Sequence, residues 1–284
     1  SNAVTTGRTV VNLEVDECYV NPLIYSDELK SDCEQMNELT DVVVTYDFSD
    51  RKETVDRSVI KNWLTKDEND DLVLDKAVIA NYISELAKKY DAFVITDEVY
   101  EYIVYGDNRH ISMAALPGMY ERTITCSSLS KTYSMTGWRL GYACAPEQIL
   151  SQMLKIHQFA IMCAPTTSQY AAVEALRNGD DDVAKMTQSY NQRRRFLLNA
   201  FQEMGLECFE PYGAFYVFPN IKKFGMTSDE FATRLLEEEK VAVVPGTAFG
   251  ACGEGFVRIS YAYSLERLKL ALERIRHFTE RHQR

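Results

Sequence analysis

Histidine is scarce in this chain, with four in 284 residues, and none pairs with cysteine at a zinc-like interval. The seven cysteines, Cys18, Cys33, Cys126, Cys144, Cys163, Cys208 and Cys252, are odd in number and scattered, with no C-x-x-C. That argues against a cysteine-held metal and against a disulfide framework, and reads as reduced thiols of a cytoplasmic protein. No apolar run is long enough to span a bilayer, and no signal peptide is visible. Positive charge is in the minority: 31 Lys and Arg face 42 Asp and Glu, for a net charge of −11. Nucleic acid and anionic membrane are therefore poor expectations, although a few local arginines suffice to hold a small anionic substrate. There is no internal repeat and no low-complexity tract. Ser1-Asn2-Ala3 reads as a tag-cleavage scar and carries no argument.

What is present is a chain with 46% hydrophobic residues, enough for a substantial core in one large domain or two smaller ones. Residues 4–70 give few signals: a strand at 41–46, a short helix over Arg57–Leu64 and a polar loop at 66–71. Further on, the apolar spacing of Val78, Ile79, Ile83, Leu86 and Ala87 predicts a helix over Asp75–Lys89. Short buried strands are expected at 92–95, 122–126 and 139–143, with helices after Pro165 and over 181–204. Strands are also expected at 213–218, 241–244 and 256–260, and a closing helix over 264–278. The pattern predicts an α/β fold, a mostly parallel sheet sandwiched by helices, followed by a smaller α+β domain. The expected division is 1–180 and 181–284, the second part beginning with the long helix between the two. In such sheets the chemistry gathers beyond the carboxyl ends of strands, where Asp97 and Ser128 fall.

Four segments carry chemistry together: Thr96-Asp97-Glu98-Val99-Tyr100, Ser128-Leu129-Ser130-Lys131, Gly137-Trp138-Arg139-Leu140-Gly141 and Phe256-Val257-Arg258-Ile259-Ser260. An amine, a carboxylate, hydroxyls and two cations are what pyridoxal 5'-phosphate chemistry needs. The amine forms a Schiff base and the carboxylate keeps the pyridine nitrogen protonated. Hydroxyls and one cation hold the phosphate, and a second cation holds the substrate carboxylate.

The run Ser-Leu-Ser-Lys-Thr-Tyr-Ser-Met-Thr-Gly-Trp-Arg-Leu-Gly-Tyr, residues 128–142, resembles the lysine signature of the class I/II aminotransferases along its whole length. The likeness extends from about residue 72 to the C-terminus and includes Ala164-Pro165-Thr166-Thr167-Ser168-Gln169 and Val244-Pro245-Gly246-Thr247-Ala248-Phe249. It implies the large domain of the fold type I pyridoxal-phosphate transferases, incomplete at its N-terminus. It further implies pyridoxal phosphate as cofactor, an amino acid and a 2-oxo acid as substrates, and a homodimer. Residue by residue, it implies Lys131 as the Schiff-base lysine, which also moves the substrate proton. Asp97 pairs with the pyridinium nitrogen, Tyr100 donates to the phenolate oxygen, Ser128 and Arg139 bind the phosphate, and Arg258 clamps the substrate α-carboxylate. Gly137 and Gly141 are expected at tight backbone turns. Arg258 lies in an apolar strand, where an unpaired charge is costly, so a partner is expected for it.

The N-terminal part departs from the family pattern. No glycine-containing phosphate loop at a helix start is found; Thr5-Thr6-Gly7 is a faint candidate that lies too near Tyr19 for the family order. Asn69, 28 residues before Asp97, and Tyr19, 78 before it, stand where the family has a phenolate-binding asparagine and a ring-stacking aromatic. Asn69 lacks the neighbouring proline and glycine. The expected activity is amino transfer of the aspartate, aromatic or alanine type. Three alternatives stay open: a truncated or catalytically inactive relative, a carbon–sulfur lyase using the same lysine, and a DNA-binding regulator. The last ranks lowest, because no basic recognition helix is seen.

Overall fold

The computed structural model describes residues 26–47, 51–67 and 70–282. Contacts group the chain into two units, residues 1–89 and 90–284. That boundary falls inside the span that the sequence pattern assigns to one large domain. Tyr19 and Asn69, the two sites expected from interval alone, lie outside the described residues.

In the first unit, helix α1 (Ser26–Thr40) precedes the antiparallel pair β1 (Val44–Asp47) and β2 (Lys52–Val55), in the register Val44 to Val55. Helix α2 (Arg57–Ile60) starts where the Asp56 carboxylate accepts the Ser58 N–H at 2.8 Å, satisfying one of the donors a helix start leaves open. It runs on as a 3-10 turn over Lys61–Trp63. A second antiparallel pair follows, β3 (Leu64–Lys66) with β4 (Leu72–Leu74). Asp75 then caps helix α3 (Lys76–Lys89) by accepting from the N–H groups of Ala77 and Val78. The core of this unit is Val55, Ile60 and Trp63, packed by Tyr46, Val59, Ile79 and Tyr82. The Trp63 and Tyr82 rings meet edge to face at 5.2 Å, a favoured aromatic geometry.

The second unit opens with a three-stranded sheet in the order β5 (Val94–Asp97), β6 (Thr123–Ser128), β7 (Gly141–Cys144). Strands β5 and β6 run parallel, while β6 and β7 run antiparallel, so the described part of the sheet is mixed where the sequence pattern suggested mostly parallel pairing. The reason lies in the connections. The stretch from β5 to β6 is long enough for a crossover, whereas β6 returns through the single helical turn α4 (Leu129–Thr132) and a 3-10 turn at Thr136–Trp138.

Helices α5 (Glu147–Ala160), α6 (Thr166–Asn178) and α7 (Asp180–Glu203) follow. A second, antiparallel sheet has the order β8 (Tyr216–Val217), β10 (Val257–Ser260), β9 (Val244–Pro245), and it is flanked by α8 (Ser228–Glu239) and α9 (Leu265–Arg281). Its core unites α7, α8 and α9 through Leu197, Phe201, Phe231, Leu235, Ile275 and Phe278, and takes in Ile103 and Tyr105 from beyond β5. Each such large apolar side chain contributes roughly 1.5–3 kcal/mol by leaving water. The α/β character with a smaller α+β part is as the sequence pattern predicts. Helices α5 and α8, which it does not predict, fill long connections in the second unit; the short α4 and, in the first unit, α1 are likewise unpredicted.

Candidate active site

The site assembles at the carboxyl ends of β5 and β6, which lie side by side with Asp97 opposite Cys126. Asp97 closes β5 with an exposed side chain, and its carboxylate accepts the Val99 N–H at 3.2 Å. The neighbouring carboxylate behaves oppositely. Glu98 is buried, and its Oε1 accepts from Thr96 Oγ1 (2.9 Å), Ser112 Oγ (3.0 Å) and the Met113 N–H (3.3 Å), while its Oε2 meets His110 Nε2 at 2.9 Å. Burial opposes the Glu98 charge, but these bonds, led by His110, outweigh it and hold the carboxyl below its ordinary pKa. Glu101 extends the set by accepting from Ser127 Oγ and Tyr142 OH. Glu98 therefore ties down the chain beyond β5 and leaves Asp97 at the open strand end. Sequence reasoning passed over Glu98, and its only signal is its place beside Asp97.

Ser128 ends β6 and caps α4, its Oγ accepting the Ser130 N–H at 3.2 Å, which leaves the hydroxyl hydrogen for another acceptor. Lys131 stands one residue further along the same turn, its Nζ 5.9 Å from the centre of the Phe215 ring. The loop then turns twice on residues with side chains, Ser134 at φ +54° and Arg139 at φ +53°. Both lie in the left-handed region that non-glycine residues rarely enter. Gly137 lies within the 3-10 turn Thr136–Trp138, as expected, whereas Gly141 begins β7 rather than making a turn. Gly137 has no neighbour near its missing Cβ, whereas Gly141 sits directly opposite Ser128, where a Cβ would meet Ser127 O at 2.9 Å and Ser128 Cβ at 3.2 Å. Gly141 serves close approach of strands rather than a turn. Arg139 is exposed, and its Nη1 donates to Thr136 O at 2.9 Å, one of the five N–H donors a guanidinium carries. That loop is held from below by buried Ser168, whose hydroxyl donates to Trp138 O at 2.7 Å, and by the Leu129 N–H on Leu140 O. Ser168 gives the Ala164–Gln169 motif a physical role that its sequence alone does not reveal.

The opposite wall comes from β8 and β10. Tyr100 packs edge to face on Phe215 (5.4 Å) and Tyr216 (6.2 Å), and its hydroxyl donates to the Tyr216 hydroxyl at 3.3 Å. Burial first, then the bond to Tyr216, pushes the Tyr100 phenol well above its ordinary pKa, with Asp97 adding to the rise and Arg258 opposing it. Tyr100 is consequently a protonated donor at neutral pH. The Arg258 guanidinium lies between two rings, 4.4 Å from the centre of Tyr216 and 4.4 Å from that of Phe249. Among the described residues no carboxylate comes within 4.0 Å of it. The partners found for it among the described residues are aromatic, and none of them is an anion. The structure thus brings Lys131, Tyr100 and Arg258 onto one aromatic wall of Phe215 and Tyr216. Asp97 lies near enough to Tyr100 to act on its titration. Phe215, Tyr216 and Phe249 lie in segments read from sequence only as strand or motif.

The donor set has the chemistry that pyridoxal phosphate requires: a lysine amine against a ring, a carboxylate at a strand end and a protonated phenol. A capping hydroxyl with its hydrogen to give, an exposed guanidinium and a second guanidinium with no carboxylate within 4.0 Å among the described residues complete it.

Residues 80–275 match the family of class I and II aminotransferases. The chain belongs to that family. It is 49% identical over 68% of its length to the aspartate aminotransferase of Pyrococcus abyssi, and 46% identical over 68% to aromatic-amino-acid aminotransferase 2 of Thermococcus litoralis; each match covers 50% of the relative. Among solved structures, an aromatic aminotransferase from Pyrococcus horikoshii superposes with a TM-score of 0.71 at 44% identity, covering 74% of this chain and 56% of that one. The aspartate aminotransferase of Thermotoga maritima gives a TM-score of 0.66 at 38% identity, over 72% and 52%. The chain therefore spans about half the length of the curated relatives it matches. Among the described residues no helix is long and apolar enough to cross a membrane.

Proposed function

We propose that the second unit binds pyridoxal phosphate and moves an amino group between an amino acid and a 2-oxo acid. The observation that carries this reading is the convergence of Lys131, Tyr100 and Arg258 on the Phe215–Tyr216 wall. When bound, the cofactor supplies an electron sink for the substrate carbanion. The chain's own residues do the rest. Lys131 Nζ would hold the cofactor at its carbonyl carbon, and the same amine would take and return the proton at the substrate Cα. Asp97 keeps the pyridine nitrogen protonated. Tyr100, a protonated donor, directs its O–H to the phenolate oxygen in place of its present bond to Tyr216. Ser128 and Arg139 hold the phosphate, the arginine with a planar fork suited to two parallel bonds. Arg258, held against the Tyr216 and Phe249 rings, takes the substrate α-carboxylate.

In this reading residues 90–180 supply most of the cofactor contacts and 181–284 the substrate clamp. Tyr19 and Asn69 stay as proposed ring and phenolate contacts on their sequence interval alone. The protein works in the cytoplasm as a homodimer, for which the exposed apolar side chains Phe159, Ile161 and Met162 offer a surface. Aspartate, aromatic amino acids and alanine are the proposed donors. The test is product analysis with each of these amino acids, a 2-oxo acid and added pyridoxal phosphate. Formation of the matching oxo acid and new amino acid supports the reading. Pyruvate with ammonia from a sulfur-containing substrate assigns a lyase, and absence of both products assigns a catalytically silent relative.

A further inference from the structure

The aromatic wall stands on an unusual piece of backbone. Ala214, just before Phe215, has φ +58°, in the left-handed region where a side chain is disfavoured. Its N–H donates to Ile103 O at 2.9 Å. Its carbonyl accepts two phenols, one from Tyr105 and one from Tyr261 at 3.1 Å, and these hydroxyls lie 3.4 Å from each other. Both tyrosines are almost wholly buried, at 2% and 0% exposure. Burial raises both phenols, Tyr261 to about 12 and Tyr105 further, so each remains a donor across the physiological range.

The surroundings hold the two rings in turn. The Tyr261 N–H donates to Phe215 O and the Tyr105 N–H to Tyr212 O. Arg194, itself buried, stacks its guanidinium 4.9 Å from the Tyr105 ring and donates to Glu210 Oε1 (2.6 Å) and Pro211 O (2.9 Å). Gly213 completes the arrangement, because a Cβ there would stand 3.0 Å from Ile103 O. Neither tyrosine belongs to the set given a role in chemistry above. What they share is a single acceptor one residue before the ring that faces Lys131 and two before the ring that carries Arg258 and Tyr100.

We propose that Tyr105 and Tyr261 are positioning residues: together they pin the Ala214 carbonyl and so fix the Phe215–Tyr216 wall on which Lys131, Tyr100 and Arg258 are set. The consequence for function rests on the aminotransferase reading of that wall. Two donors on one acceptor make a specific pattern. Removing either hydroxyl leaves the other in place, so single losses are mild and the double loss exceeds their sum.

The test compares Tyr105→Phe, Tyr261→Phe and the double variant, which keep both rings and the Arg194 stack. In the cofactor-free chain, amide hydrogen exchange is read at residues 214–216 and on α7 and α9. With pyridoxal phosphate added, KM and kcat are read for the best amino-acid donor. Each single variant is expected to speed local exchange by no more than about threefold, and the double variant by about tenfold or more, as suits loss of a buried hydrogen bond. The helices should stay within about twofold. The amino-acid KM of the double variant should rise about tenfold with a smaller fall in kcat. Unchanged exchange at 214–216 in the double variant overturns the pin, and so does an equal rise throughout the unit, which marks a merely structural role. If the unaltered chain shows no turnover, the aminotransferase reading fails, while the exchange result still decides the pin.

Discussion

Replacing Arg258 by alanine separates substrate binding from cofactor binding. The guanidinium lies 4.4 Å from each of two ring centres and has no carboxylate within 4.0 Å among the described residues. Each cation–π contact at a partly exposed position contributes about 0.5–1 kcal/mol, so the folded chain loses on the order of 1–2 kcal/mol. The effect on the amino acid is larger. A carboxylate held by a charged fork receives two bonds, each worth about 1.5–3 kcal/mol net when made to a charged group. Even one such loss raises KM roughly 10- to 100-fold. Arg258→Lys keeps the charge between the rings but not the fork, and is expected to fall between the parent and Arg258→Ala. The assay is steady-state kinetics over amino-acid concentration, beside the absorbance of bound pyridoxal phosphate. An unchanged KM in Arg258→Ala, or loss of cofactor absorbance in a folded protein, gives Arg258 a different role.

Three further outcomes are expected. Gly141→Ala forces a Cβ to within 2.9 Å of Ser127 O, costing roughly 1–3 kcal/mol in thermal unfolding and, by displacing Ser128, weakening pyridoxal-phosphate affinity in a titration. The folded-state pKa of Glu98 lies below its unfolded value of about 4.3, so its contribution is present above that pH and is lost as pH falls through the lower value. Glu98→Gln should therefore flatten the acid limb of a stability-versus-pH curve, and an unchanged limb contradicts the assignment. In the first unit, Trp63→Ala removes the largest core side chain and is expected to cost about 3–5 kcal/mol, read as loss of protection of the amides of α3 in hydrogen exchange.

The residues that were legible in the sequence are those whose geometry is local. Ser128, Lys131, Arg139 and Gly141 lie within one strand, one turn and one return strand, so a continuous motif carries them together. Asp97 and Tyr100 are legible for the same reason, at the end of a short apolar strand. The wall they face is not local. Tyr216 meets Tyr100 across 116 positions of chain, and nothing in Gly213–Phe218 distinguishes its rings from ordinary strand aromatics. Ala214 escapes notice because alanine carries no signal of a left-handed φ, and the phenols that meet its carbonyl come from Tyr105 and Tyr261, far away in the chain. Helix α8 does carry a sequence signal: Thr227 lies three residues before Glu230, and its hydroxyl caps the Glu230 N–H at 3.2 Å. Strand β7 begins two residues later than expected because Arg139 occupies the left-handed turn that precedes it. Among the described residues of the first unit the buried core is small and the strands are short and mostly exposed, so its pattern carries few signals.

Whether Lys131 carries the cofactor is decided by the absorbance of the purified chain with added pyridoxal phosphate, followed by borohydride reduction and identification of the modified peptide. The expected result is a visible band that is lost on reduction and a single pyridoxyl group on Lys131, absent in Lys131→Ala. A folded protein that gives no band, or one modified at other lysines and not at Lys131, contradicts it.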